Sequence, residues 1–292
     1  MNKKLKSIRQ VEAHQSLFQC PICHTFMRVH ETKSFICQNH HTFDFTRKGY
    51  LNLTTRPAKT KYNTDLFESR RELMVEHKLF EPVLQQISEW IQRNFSQKDT
   101  LYLLDTGCGE GSHLSCLSGK LQSEFKKDVT GIGIDLSKEG IMVASKNYTE
   151  NIWAVADLAH SPFQDQSFHI LLNILSPSNY AEFKRLLKED GFVIKVVPQR
   201  DYLKELREVF FEDTSKQSYS NEETVELFTR HFQLKDRMEV KYKVDLDSAS
   251  VHSLIQMTPL TWSIPETHVQ SVLEQHSLSS ITVDLEILVG VK

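Results

Sequence analysis

The chain has 292 residues, 39% of them hydrophobic and 25% charged, with a formal net charge of −3. That balance excludes a disordered or fibrous chain and leaves room for one large domain and a small one. No apolar run reaches the roughly 20 residues of a membrane span, and Met1-Asn2-Lys3-Lys4-Leu5-Lys6 does not open a secretory signal, so a cytoplasmic protein is expected.

In chain order, residues 1–15 are polar and basic and are expected to be mobile. Residues 16–55 are dense in Cys, His and aromatic residues but lack long apolar periodicity. A segment so poor in core needs a metal or disulfides to stay folded. Cys20-Pro21-Ile22-Cys23 and Cys37-Gln38-Asn39-His40-His41 supply two ligand pairs. Five cysteines in all, an odd number without an export signal, argue for metal over disulfides. The set Cys20, Cys23, Cys37 and His41 can close a tetrahedron around one structural zinc, with His24 and His40 competing for the histidine place. Residues 1–64 also hold eleven Lys and Arg against three acids, a surplus of eight that leaves −11 on the remainder. A basic head on an acidic body suggests a polyanion partner, nucleic acid first.

Residues 56–98 read as a linker and helices, with helical periodicity from Asp65 to Asn94 broken near Pro82. Residues 99–292 then alternate strand and helix. Strand Leu101–Leu104 runs into Asp105-Thr106-Gly107-Cys108-Gly109-Glu110-Gly111 and a helix from about Ser112. Further strands end at Asp135 and at Asp157, and two more cover His169–Leu175 and Phe192–Val197. Two strand-like runs, Met238–Leu246 and Ile281–Val291, close the chain. This is the pattern of an α/β doubly wound, Rossmann-like sheet.

Glycines between a strand and a helix let backbone approach a ligand closely. Asp135, 24 residues after Gly111, stands where a carboxylate can accept bonds from ribose hydroxyls. The acid followed by glycines at every second position (Asp105, Gly107, Gly109, Gly111) resembles the first motif of class I methyltransferases. Asp157 with Ser161-Pro162-Phe163 resembles that family's third-strand segment, which implies S-adenosylmethionine as cofactor and an adenine contact for Asp157.

The order of motifs is more specific still. Cys20-Pro21-Ile22-Cys23, Cys37 through Asp44, and Lys48-Gly49-Tyr50-Leu51-Asn52-Leu53 resemble the zinc module of the bacterial 23S ribosomal RNA (guanine-N1)-methyltransferases. Arg70-Arg71, Asn173-Ile174-Leu175-Ser176-Pro177 and Met257-Thr258-Pro259-Leu260 with Trp262 extend the resemblance over nearly the whole chain from about residue 17. It implies methylation of N1 of a guanine in a hairpin loop of domain II of 23S rRNA. It also implies a homodimer, and resembles most the Gram-positive type associated with macrolide resistance. The cofactor contacts carried over are Phe80, Asp105, Gly107, Gly109, Gly111, Ser112, His113, Leu114, Asp135, Asp157 and Tyr202. Lys33, Arg47, Lys48, Arg56, Lys59 and Lys61, interleaved with Phe43, Phe45 and Tyr50, are expected to grip the RNA backbone. The end of the fourth strand offers Asn173 and Ser176 to orient the guanine, and no carboxylate to act as base. Two rival readings are a small-molecule methyltransferase and a non-catalytic zinc-dependent RNA-binding protein.

Overall fold

The computed structural model describes residues 2–56, 62–211, 219–275 and 278–292. Its first element corrects the expectation of a mobile N-terminus. Residues Lys3–Ala13 form helix α1, whose N-cap Asn2 accepts a 3.0 Å bond from the Lys4 N–H. Ile8 and Val11, one turn apart on a single face, are fully buried. The polar residues that suggested mobility lie on the other face, where Lys6 pairs with Glu150.

The cysteine-rich segment forms a small antiparallel sheet of β1 (Met27–His30), β2 (Ser34–Cys37) and β3 (Thr42–Asp44). Glu31 and Thr32 both sit at positive φ and make the tight β1–β2 turn. The chain then leaves this sheet. Strand β4 (Leu51–Asn52) pairs in parallel with the edge of the large sheet, and the Leu53 N–H continues the ladder to the Val155 carbonyl at 2.8 Å.

Helices α2 (Thr64–Val75) and α3 (Glu81–Asn94) follow. They part at residues 76–80, so Pro82 occupies the first turn of α3, where its missing N–H costs nothing. The alternating series comes next: β5 (Thr100–Thr106), α4 (Ser112–Ser123), β6 (Asp128–Asp135), α5 (Lys138–Asn147), β7 (Ile152–Val155), β8 (Phe168–Ile174), α6 (Tyr180–Leu186) and β9 (Leu187–Pro198). After α7 (Lys204–Phe210) and α8 (Glu222–His231) come β10 (Gln233–Asp245), α9 (Ser248–Met257), α10 (Glu266–Gln275) and β11 (Ser280–Val291).

The large sheet has the order β10-β11-β9-β8-β5-β6-β7-β4. Strands β4 to β9 run parallel within it, and β11 enters antiparallel between β9 and β10. With the series running outward in both directions from β5 and β8, the switch point falls between these two strands, and ligands bind at their carboxyl ends. This is the class I methyltransferase arrangement with β4 added as an edge.

Each face of the sheet has its own core. One face packs Leu101, Leu103, Ile170, Leu172 and Ile194 under Leu84, Ile87 and Ile91 of α3 and Leu114 and Leu117 of α4. On the other, Ile132, Ile134, Ile152, Ala154 and Phe163 pack with Ile8, Val11, Phe18, Phe35 and Phe45. Residues 16–55 therefore share a core with the large sheet, and the expected boundary at 55/56 is not a boundary in packing. The metal module, with α1, covers part of a sheet face that would otherwise stand bare.

Candidate active site and metal centre

The ligand atoms of Cys20, Cys23, Cys37 and His41 lie within 4.8 Å of one another. Cys23 Sγ is 3.6 Å from Cys37 Sγ, and His41 Nδ1 is 3.5 Å from Cys20 Sγ and 3.4 Å from Cys37 Sγ. Zinc bonds of about 2.3 Å to sulfur and about 2.0 Å to nitrogen, set tetrahedrally, require ligand separations of roughly 3.5–3.8 Å. Those three separations match what zinc needs, and the four atoms together are close enough to share one ion. Two knuckles shape the site: the Ile22 N–H points at Cys20 Sγ (3.4 Å) and the His41 N–H at Cys37 Sγ (3.3 Å). His24 and His40, the competitors left open by spacing, are exposed at the positive-φ corners of these knuckles and outside the cluster.

The second site is the turn between β5 and α4. Gly107, Gly109 and Gly111 all have positive φ, but their surroundings differ. A Cβ at Gly107 would stand 2.7 Å from Ser176 Cβ, and one at Gly111 would stand 2.5 Å from the Trp153 indole. These two glycines permit close packing of loop on loop and helix on sheet. Above Gly109 the nearest atoms are those of α2, with the Phe67 ring at 3.5 Å and the Arg70 guanidinium at 3.8 Å. On this side the turn faces α2. Asp135 bridges the turn to α5, accepting the Gly109 N–H at 2.8 Å and the Ser137 N–H at 2.7 Å. Burial raises its pKa, and those two backbone donors oppose the rise.

Arg70 organises the charges here. Its Nε is 3.4 Å from the buried Glu110 carboxylate, without hydrogen-bond geometry, and its Nη2 is 3.5 Å from His113 Nδ1. Burial pushes the Asp105 carboxyl up to about 7 against the pull of the same guanidinium. His113 is held well below its usual value by burial and then by Arg70. Of the seven buried side-chain polar atoms without a hydrogen-bond partner among the described residues, three lie around this turn: Asp105 Oδ2, Arg70 Nε and His113 Nε2. Unpaired buried polar atoms cost about 1–3 kcal/mol each, so an acceptor and two further polar atoms around one glycine turn mark a place built for a polar ligand.

The remaining cofactor candidates divide. Phe80 stacks at a tilt on His113, ring centroids 5.0 Å apart. Together with Ser112, Met74, Cys116 and Tyr148 these two residues line a cleft of about 230 Å³. Ser112 spends its hydroxyl and N–H on Glu110 (2.6 and 3.0 Å), and the Leu114 side chain is in the core. Tyr202 lies near enough to Arg70 to feel its charge, although burial still lifts its phenol to about 12. Asp157 is half-buried and accepts the Ala159 N–H at 2.8 Å, which starts a short 3-10 turn. Between the two acidic strand ends Leu136 leaves 41% of its surface exposed, an apolar shelf that the sequence reading did not pick out.

At the carboxyl end of β8, Asn173 is fully buried and its amide is fully engaged. Its Nδ2 donates to Ser176 Oγ (2.6 Å) and to the Pro177 carbonyl (2.9 Å). Its Oδ1 accepts from Ser178 Oγ and from Lys195 Nζ, at 2.8 and 2.7 Å. Ser176 Oγ in turn donates to the Thr106 carbonyl. Asn173 is therefore committed to shaping the loop beside Gly107 and offers no free polar group to a guanine, while the half-buried Ser176 spends its one hydrogen on that loop. Lys195, missed by sequence reasoning, is 4% exposed, and burial draws its ammonium down to about 8. Its signal was a lysine within an otherwise apolar strand, Phe192-Val193-Ile194-Lys195-Val196-Val197.

Of the basic residues expected to meet RNA, Arg47 and Lys48 are exposed in the turn between Thr46 and Tyr50, and Arg56 is exposed beyond β4. Lys59 and Lys61 lie outside the described residues. Phe45 and Tyr50 are buried, at 3% and 4% exposure, so they are core and not stacking surfaces. Phe43 is half-buried against the same core.

Residues 18–62 match the zinc-ribbon family model described as RlmA, N-terminal, and residues 104–195 match a methyltransferase domain model. YxjB of Bacillus subtilis, which bears the name of a 23S rRNA (guanine-N(1)-)-methyltransferase, is 46% identical over 95% of this chain and 98% of its own length. The 23S rRNA (guanine(748)-N(1))-methyltransferase of Streptomyces fradiae is 25% identical over 91% of this chain and 94% of its own. A Micromonospora griseorubida protein whose name is again that of a 23S rRNA (guanine-N(1)-)-methyltransferase is 24% identical over 84% and 86%.

Proposed function

The chain belongs to the 23S rRNA (guanine-N1)-methyltransferase family, and from that premise we propose that it methylates N1 of one guanine in the hairpin loop of domain II of 23S rRNA. The observation that carries the cofactor half of this reading is the set of unpartnered buried atoms at the glycine turn. S-adenosylmethionine ends in a zwitterionic amino acid, whose ammonium suits the free Asp105 oxygen and whose carboxylate suits Arg70. Asp135 retains a lone pair on each oxygen for ribose hydroxyls, and Leu136 with Asp157 offers an apolar shelf and an acceptor to adenine. When bound, the cofactor supplies a methyl group already activated on sulfonium.

The protein's own contribution is alignment and charge. In-line placement of nucleophile and methyl is the larger part of catalysis for an activated donor. Guanine N1 carries a proton that must leave before it attacks, and the resulting negative charge spreads to its carbonyl oxygen. Lys195, held by Asn173 and Ser178, puts an ammonium under the loop that faces this reaction. A buried positive charge favours the deprotonated guanine more strongly than one in water. The zinc set is closed by four protein ligands, so the metal holds the RNA-binding head in shape and takes no part in methyl transfer.

Arg47, Lys48 and Arg56 supply exposed charge for phosphate contacts, with Lys59 and Lys61 expected to add to it. Action on ribosomal RNA supports a cytoplasmic location. The resemblance that names the loop also supports a homodimer, which light scattering checks directly. The test of the reaction is transfer of tritiated methyl to 23S rRNA from a strain lacking the gene. Recovery of the label as 1-methylguanosine supports the reading; label on another nucleoside, or only on small acceptors, refutes it.

A further inference from the structure

Two exposed aromatic rings stand at the mouth of the donor site, and neither packing nor the cofactor explains them. Phe67 covers Gly109 from above. Tyr62, just ahead of the α2 N-cap Asn63, meets Phe67 edge to face with ring centroids 6.0 Å apart. Trp262, in the turn after α9, lies 5.3 Å from Tyr62. Tyr62 is 39% exposed and Trp262 43%. The three rings thus run in contact from the glycine turn to the surface.

The platform is held rigidly. Trp262 Nε1 donates to the Gln256 carbonyl at 3.1 Å, which fixes the indole by its edge. The Gln256 side chain accepts from Ser69 of α2 at 2.8 Å. One more bond ties the same helices, Ser253 to Glu72 at 3.1 Å, and Ser250 with His77 at 2.7 Å ties α9 to the loop that follows α2. Single exposed apolar side chains are ordinary on protein surfaces. A braced pair leading to a methyl-donor turn is not scattered in that way.

We infer that Tyr62 and Trp262 form the stacking surface that receives an unstacked base of the RNA loop as the target guanine enters. The inference rests on the proposed function. A base processed by an enzyme must leave its stack, and a protein ring replaces the lost stacking. Of the aromatics first expected to do this, Phe43, Phe45 and Tyr50, the last two are buried and Phe43 is half-buried against the core.

The protein carries its own probe. It has three tryptophans, and Trp90 and Trp153 are each 2% exposed, so solvent-exposed emission comes from Trp262. Titration of the wild-type chain with the domain II hairpin is expected to quench that emission, and the Trp262→Phe variant, which lacks the exposed indole, is expected to show no such quench. Trp262→Ala is expected to raise the KM for RNA by about 5- to 150-fold, the range for loss of one base–aromatic stack, with cofactor affinity within twofold of wild type. Unchanged emission on RNA binding overturns the inference. So does a Trp262→Ala variant that loses cofactor affinity with its RNA KM intact, because the rings then only pack the helix over the donor. If that variant instead dissociates from dimer to monomer, the rings are a subunit contact and the inference is again overturned. A wild-type chain that methylates no guanine in RNA refutes the proposed function itself, a result separate from all of these.

Discussion

Substituting alanine at Gly109 and at Gly111 separates the ligand turn from its scaffold. At Gly111, with φ +85°, an added Cβ falls 2.5 Å from Trp153 and 2.9 Å from the Ala144 Cβ. Left-handed backbone costs an L-residue roughly 1–2 kcal/mol, and overpacking of a tight core adds roughly 1–3 kcal/mol. For a chain of this size about 2–4 °C of melting temperature is lost per kcal/mol, so Gly111→Ala should melt on the order of 5–15 °C below wild type. Gly109→Ala has φ +56° and no neighbour closer than 3.5 Å. It bears the backbone cost alone, and a loss of roughly 2–8 °C is expected. Its methyl instead enters the space between the turn and Arg70, and cofactor affinity should fall at least about tenfold, or 1.4 kcal/mol. Scanning fluorimetry gives the melting temperatures and calorimetric titration with S-adenosylhomocysteine gives the affinities. If Gly109→Ala binds like wild type, or Gly111→Ala melts like wild type, the assignment of the open glycine is wrong.

Asp105 links function to pH in a signed way. Its carboxyl titrates near 7 in the folded chain and near 3.8 unfolded, so the free folded protein holds the proton more tightly and loses stability as pH rises through that window. Asp105→Asn is therefore expected to melt higher than wild type at pH 8 without ligand, yet to bind S-adenosylmethionine poorly and with no weakening below pH 7. Because the zinc module shares a core with the large sheet, chelation is expected to lower the melting of the whole chain in one transition, and metal analysis to return one zinc per chain. A catalytic domain that keeps its melting temperature without metal would refute that coupling. Replacing Arg47 and Lys48 by Gln should weaken RNA binding and flatten its salt dependence by about 1.4 log units per log unit of salt for two single-strand phosphate contacts, leaving cofactor affinity intact. Lys195→Met should lower kcat at pH 7 and move the rising limb of the pH–rate profile to higher pH; a pH-independent loss would point to a structural role alone.

Much of the fold was legible because its signals are local. The strand–glycine–helix turn and the acids at Asp105, Asp135 and Asp157 are read from short patterns, and each sits where the alternating series puts it. The zinc ligands were legible through spacing, although only the three-dimensional cluster separates His41 from His24 and His40. What the sequence hid depends on contacts between distant segments. Helix α1 looked mobile because its two core residues, Ile8 and Val11, are buried by the metal module together with a sheet face more than a hundred residues away. Arg70 stood out as part of a motif, but its place over Gly109 follows from how α2 packs on α9. Asn173 looked like a substrate ligand because its type suits a guanine edge, and burial among Ser176, Ser178 and Lys195 decided otherwise.

Reverse transcription of 23S rRNA from cells with and without this gene tests the central claim most directly. A methyl on N1 blocks the pairing edge of guanine and halts the polymerase one nucleotide before it. One gene-dependent stop in the domain II hairpin loop is the predicted result, abolished by Gly109→Ala. Identical stop patterns in both strains, or a gene-dependent stop outside that loop, would contradict it.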